Sequence, residues 1–342
     1  MKLLILGGTR FLGRHIADQA LQRGHAVTLF HRGRSAPDLF PQAEHRIADR
    51  DGDLAALAHG EWDAAIDTSA YFARQVRNMA AALGHRVGHY QLVSSISAYA
   101  DFKTPQQDEN AALQTLADPT VEVVTGDTYG GLKVLCEQAA QAGFAGRCLV
   151  NRPGLIVGPH DPTGRFTWWV SRMQRGGTVL APGDPATPVQ FIDGRDAAAW
   201  MLLQAERATT GVFNLTGPAQ PLSMGGLLEA ARAALNPSAQ LQWVGEQYLL
   251  GQGVAPWSDL PVWLPMAESG LHTTHIGRAL ATGLVCRPLE QTLRDTAAWA
   301  AELPPPTPTN GPKSGPAHAS VGLTAEREAA LLAGWLAQAG SA

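Results

Sequence analysis

Residues 3–6 form an unbroken apolar run that stops at Gly7-Gly8, after which Leu12, Ile16 and Ala20 recur at helical spacing. A short apolar run closed by glycine reads as a buried strand, and the period of three to four that follows reads as an amphipathic helix. Gly24 suits the C-terminal cap of that helix, and residues 27–30 begin a second strand. The same alternation continues with strands at 45–49, 62–67 and 90–93. Helical segments are expected at 53–59, at 76–83 and through Leu135 and Ala139. Strands alternating with helices predict an α/β fold built on a doubly wound parallel sheet.

Beyond Gly154 the alternation loosens. A helix is expected from near Arg165, with Arg172 and Arg175 on its solvated face. Residues 211–217 read as a short strand. Asp193 and Asp196 suit the start of a helix at Ala197, and Ser223 caps another reaching Ala234. Trp243, Tyr248, Trp257 and Trp263 are interleaved with prolines, a pattern that fits either an aromatic lid or the packing of a small lobe. The resulting organisation is a nucleotide-binding domain over 1–165, with sheet segments near 189–217, and a smaller C-terminal substrate-binding lobe over 166–303. A Pro/Gly-rich linker over 304–320 and a terminal helix within 321–342 complete it. Thr324 is the expected cap of that helix.

Composition narrows the function classes. The formal net charge of −4 and the lack of a basic stripe give no footprint for nucleic acid, so none is expected as a partner. No apolar run approaches a membrane span or a signal-peptide core, and no membrane partner is expected. Cys136, Cys148 and Cys286 show no metal-type pairing, and reduced thiols in a cytoplasmic protein are the expectation. His272 and His275 have a metal-like spacing without a third ligand nearby, so no metal site is expected.

Strand, glycine turn and helix in succession form a dinucleotide-binding context. Gly7 permits the turn and Gly13 permits close packing of helix on strand. Thr9, Arg10, Phe11 and Leu12 lie between them at a helix N-terminus that favours a pyrophosphate. The second strand runs into His31-Arg32-Gly33-Arg34, where an NAD enzyme usually places a carboxylate for the ribose 2′-hydroxyl. Arg32 or Arg34, supported by Arg10, would pair instead with a 2′-phosphate, which predicts NADP(H) in preference to NAD(H). The plainer alternative is that these arginines are solvated loop residues. Asp49, followed by Arg50, is the candidate for the adenine amino group, and Asp51 or Gly52 for the cap of the next segment. Ser69 and Ala70 follow the 62–67 strand at the edge that faces a cofactor.

Ser94-Ser95 closes the 90–93 strand, and Tyr129-Gly-Gly-Leu-Lys133 opens a helix. Residues four apart on a helix share a face, so Lys133 brings an ammonium beside the Tyr129 phenol and favours its phenolate. Such a tyrosine can move the proton that accompanies hydride transfer at a carbonyl or alcohol carbon, with Ser95 bonded to the same oxygen.

These features together resemble the extended short-chain dehydrogenase/reductase superfamily and, within it, the NAD-dependent epimerase/dehydratase family, over roughly residues 1–300. The resemblance implies catalytic places for Ser95, Tyr129 and Lys133, with Lys133 also on the nicotinamide ribose. It also implies a place beside the nicotinamide for Pro153 in Asn151-Arg-Pro-Gly. The Gly-Gly-Thr-Arg-Phe-Leu-Gly turn is similar to that of a bacterial branch and of chloroplast relatives reported as RNA-binding. The nucleotide-sugar 4,6-dehydratases of the family use an Asp-Glu pair where this chain has Ile96-Ser97, which argues against that chemistry.

The expectation is therefore an NADP(H)-preferring oxidoreductase acting on a small molecule, with a homodimer as a possible assembly. His160, Arg165 and Trp168 are the candidates for substrate contact. One alternative is a nucleotide-sugar epimerase with tightly bound NAD. Another is a non-catalytic cofactor- or RNA-binding protein of the same fold.

Overall fold

A computed structural model describes residues 1–303 and 321–339, so the expected linker at 304–320 lies outside the described residues. Strands β1 (Lys2–Leu6), β2 (Ala26–His31), β3 (Glu44–Ile47), β4 (Trp62–Asp67), β5 (Val87–Val93) and β6 (Cys148–Pro153) join the Gly211–Leu215 strand in one seven-stranded sheet. Its order is Gly211–Leu215, β6, β5, β4, β1, β2, β3, and every pairing is parallel. Strand β1 pairs with β2 on one side and β4 on the other, so the strand order reverses there. The crevice beyond the carboxyl ends at that reversal is where open sheets of this kind bind ligands.

Side-chain alternation divides the core between the two faces of the sheet. Leu3, Ile5, Leu29 and Ile66 pack with Ile16 of helix α1 (Phe11–Gln22) and with Trp200 and Met201. Leu4, Leu6, Phe30 and Ala65 pack with Val76, Met79 and Leu83 of α2 (Ala73–Leu83) and with Cys136 and Phe144 at α3 (Gly126–Gly143). Helices on both faces explain why the strands read as continuous apolar runs.

The C-terminal lobe has its own core around Trp169, Met173, Leu227, Trp263 and Leu293. It is built from α4 (Arg165–Arg175), the Met224–Leu235 and Leu289–Ala301 helices, and the parallel strand pair Thr178–Pro182 and Gln240–Val244. The Ala325–Ala339 helix docks on this lobe, with Leu331 buried and Trp335 against Tyr248 at a ring separation of 5.3 Å.

Local details differ from the sequence expectations for physical reasons. Arg172 is buried, not solvated, because Glu328 of the terminal helix accepts its Nε at 2.6 and 2.8 Å. The expected helix at 53–59 is one 3-10 turn, Ala55–Leu57, whose N-cap is Leu54, and the Asp53 carboxylate just before it accepts from the Ala55 N–H at 2.9 Å. Asp51 instead accepts hydrogen bonds from Gln75 and Arg74. Helix α5 (Gly194–Glu206) starts three residues earlier than expected, because Asp193 caps it through the Arg195 N–H. Among the described residues, no helix is long and apolar enough to cross a membrane.

Candidate active site

The turn after β1 is shaped for a diphosphate. Gly7 donates its N–H to the Phe30 carbonyl at 2.9 Å, and both Gly7 and Gly8 have positive φ. A Cβ on Gly13 would lie 2.6 Å from the Gly8 nitrogen, so only glycine allows the helix to close on the turn. Arg10 is the extended N-cap of α1 and supplies no side-chain cap, which leaves first-turn N–H groups to the cleft. Phe11 holds φ at +36°, a strained value for a side chain of this size. A cleft of about 500 Å³ runs from Thr9, Arg10 and Phe11 past Arg14 to His160 and Trp299. Leu12 is buried beneath it. The backbone thus fits the pyrophosphate of a dinucleotide.

At the adenosine end, the His31 ring is turned inward and used at both nitrogens. Gly33 donates to Nδ1 at 3.1 Å, and Nε2 lies 2.8 Å from His45 Nδ1. Burial, with the His45 ring beside it, lowers its pKa. Arg32 and Arg34 are exposed on the loop that follows, and Asp49 is half-buried at the sheet edge. Arg50 is turned beneath that edge, where its guanidinium meets Asp67 at 2.7 and 2.8 Å and Ser69 Oγ at 2.8 Å. Burial would raise the Asp67 pKa, but the Arg50 charge and the Tyr90 hydroxyl hold the carboxylate below its ordinary range. Asp67 and Arg50 thereby fix the end of β4 from below.

The catalytic candidates converge on the carboxyl ends of β4, β5 and β6. Ser95 follows β5, and its Oγ accepts from the Ser97 N–H at 3.0 Å, leaving the hydroxyl hydrogen to donate elsewhere. Thr125 caps α3 and sets Tyr129 in its first turn. Gly130 lies against the Ser97 carbonyl so closely that a Cβ there would clash, which presses the Tyr129 turn onto the Ser95 turn. Lys133 is 4% exposed, and its Nζ donates to the carbonyls of Ala70 at 2.7 Å and Val93 at 3.1 Å. The ammonium lies 5.7 Å from the Tyr129 ring centroid. Pro153 ends β6 next to this group.

A buried network that sequence reasoning missed holds α3 in place. Glu137, one turn beyond Lys133, accepts from Arg152 Nε and Nη2 and from the Ser94 hydroxyl. Arg152 also reaches Tyr99, which donates to Asn214 at 2.6 Å. An acid four residues from a lysine looks like a surface helix pair; the partner is instead an arginine on β6.

The substrate candidates do not form one group. His160 sits at the cleft mouth between His15 and Trp299, and burial with the Arg14 charge lowers its pKa to about 4. Arg165 lies 5.5 Å over the Trp257 ring, and its Nε is buried without a hydrogen-bond partner among the described residues. Trp168 instead packs on Trp169 and the backbone of Gly322 in the lobe. Of the four interleaved aromatics, Trp243, Tyr248 and Trp263 belong to lobe packing, and Trp257 reaches Arg165. Tyr71 and Trp299 were also missed, although Tyr71 directly follows a strand end already marked for the cofactor. His272 is buried, accepting from the Gln190 N–H at 3.1 Å, while His275 is exposed.

Residues 3–216 match the NAD dependent epimerase/dehydratase family. The fold is similar to that of UDP-glucose 4-epimerase (TM-score 0.66, 14% identity, 92% of this chain and 100% of that one). It is also similar to UDP-glucuronic acid 4-epimerase from Bacillus cereus, solved with NAD (TM-score 0.64, 15% identity, 87% and 96%). A sequence relative is the chloroplast stem-loop binding protein of 41 kDa b from Arabidopsis thaliana, 27% identical over 252 residues. The match spans 68% of this chain and 63% of the length of that relative.

These findings correct the expected preference for NADP(H). The Bacillus cereus enzyme holds NAD, as do further structures of similar fold. The physical reason lies in exposure: Arg32 and Arg34 on the loop, and Arg10 at the start of α1, are all exposed, so their charge is that of a solvated surface.

Proposed function

Because the chain belongs to the NAD dependent epimerase/dehydratase family, we propose that it is an NAD-dependent epimerase acting on a sugar nucleotide and retaining its cofactor through turnover. The observation that carries this reading is the placement of Lys133. Its ammonium is anchored to the strand-end carbonyls of Ala70 and Val93 and stands beside Tyr129, on the turn pressed against Ser95.

NAD, when bound, supplies the acceptor for a substrate hydride and the means to return it. Tyr129 takes the proton of the substrate hydroxyl as the carbonyl forms and gives it back on the opposite pass. Ser95 donates its free hydroxyl hydrogen to the same oxygen. Lys133 sets its charge beside the Tyr129 ring, and the N–H that the Ala70 and Val93 carbonyls do not take serves a ribose hydroxyl. Arg165, over the Trp257 ring and with its Nε lacking a hydrogen-bond partner among the described residues, offers its charge to a substrate anion. Ile96 and Ser97 supply neither acid nor base, so removal of water from the sugar is not part of this reading.

The test is to denature the purified protein, identify the released nucleotide, and incubate native protein with UDP-glucose and UDP-glucuronic acid under proton NMR. Released NAD and appearance of a 4-epimer are expected. Tyr129→Phe should retain the NAD and lose epimerisation by about 10²–10⁴-fold. A protein that neither carries nor takes up NAD overturns the proposal. If such a protein bound stem-loop RNA, it would stand with the property named for its Arabidopsis relative.

A further inference from the structure

Tyr71 is 45% exposed at the rim of the site, directly after the fully buried Ala70. Nothing in the core requires an aromatic ring at this position. Its backbone is nevertheless held firmly: Gln75 Oε1 accepts the Tyr71 N–H at 2.9 Å, and Gln75 Nε2 is fixed by the Asp51 carboxylate at 3.0 and 3.1 Å. The ring faces Tyr129 across a centroid separation of 6.4 Å, and Lys133 Nζ lies 5.0 Å from the Tyr71 centroid, nearer than to that of Tyr129. The ammonium is therefore bounded by two rings and two carbonyls. Cation–π attraction is strongest where the cation is desolvated, and Lys133 is 4% exposed.

We propose that Tyr71 is a positioning residue for the nicotinamide-ribose half of bound NAD, its ring standing opposite Tyr129 and holding the Lys133 ammonium between the two. The role rests on the cofactor assignment made above. It belongs to the ring face, since among the described residues no hydrogen bond of the Tyr71 hydroxyl contributes to this arrangement.

The test measures binding by calorimetry on full-length protein stripped of copurified nucleotide, with NAD and ADP as separate probes. Tyr71→Leu should weaken NAD about tenfold while leaving ADP, which lacks the nicotinamide half, within about twofold. Tyr71→Phe should bind both like the wild type. NAD affinity unchanged in Tyr71→Leu overturns the role, and so does parallel loss of NAD and ADP, the mark of general disruption. A Tyr71→Phe defect equal to that of leucine overturns the assignment to the ring. Wild-type protein that binds no NAD overturns this inference together with the proposed function; the other outcomes leave that function standing.

Discussion

The carboxylate of Glu137 and the guanidinium of Arg152 form a buried two-point pair, with Oε1–Nε at 3.0 Å and Oε2–Nη2 at 2.7 Å. Glu137 lies on the same helix as Tyr129 and Lys133, and Arg152 on the strand next to β5. The pair therefore sets the distance between the proton-transfer helix and the sheet edge that presents Ser95. Removing the acid alone leaves a buried arginine without its counter-charge, which costs about 3–5 kcal/mol. Glu137→Ala should lower the stability measured by urea denaturation by that amount. Combining it with Arg152→Met should recover much of the loss, because the stranded charge is then gone.

Gly13 tests the turn without touching the catalytic residues. Its missing Cβ would sit 2.6 Å from the Gly8 nitrogen, a main-chain atom that cannot rotate away. Overpacking of this kind costs about 1–3 kcal/mol, so Gly13→Val should bind NAD roughly tenfold or more weakly by calorimetry. An unchanged affinity would show that the turn is not where the dinucleotide sits.

Residues whose structural cause is local were the most legible ones. The first strand, turn and helix follow from an apolar run, glycines and a helical period within 24 positions, and the structure keeps them. Tyr129 and Lys133 were placed together by helix geometry alone. Arg172 could not be read this way, because the acid that buries it lies 156 residues away on the terminal helix. The basic loop at Arg32 and Arg34 misled for the complementary reason. Sequence records charge but not exposure, and a solvated arginine looks the same as one awaiting a phosphate. Glu137 was missed because its partner is chosen by the packing of α3 on β6 rather than by helical spacing.

The pair made by Arg172 and Glu328 predicts how the terminal helix is held. Glu328 also accepts from the Leu180 N–H at 3.0 Å and from Arg175 at 3.1 Å, so one buried carboxylate satisfies three donor residues. Glu328→Ala should destabilise the lobe by about 3–5 kcal/mol. Hydrogen exchange should speed up over 325–339 and in α4, while protection of the seven-stranded sheet stays as in the wild type. Uniform loss of protection would mean that the helix is integral to the whole fold rather than docked on one lobe.

Asp161 gives the protein a pH-dependent weakness beside the cleft. Its carboxyl is 3% exposed, and burial raises its pKa from the ordinary 3.8 to about 6 despite hydrogen bonds from the Thr163 N–H and hydroxyl. The folded state therefore binds the proton more tightly than the unfolded chain does. Below about pH 4 both states are protonated and nothing is lost; as pH rises from about 4 through about 6, the unfolded chain ionises while the folded protein holds its proton, so stability falls and then levels off. The full effect, reached above pH 6, is on the order of 1–3 kcal/mol. Asp161→Asn keeps an acceptor for the Thr163 N–H and removes the ionisation. It should therefore stabilise the protein at pH 7.5 by that amount and have little effect at pH 4, as read from urea midpoints at the two pH values. Equal effects at both would show that Asp161 acts through its hydrogen bonds and not through its charge.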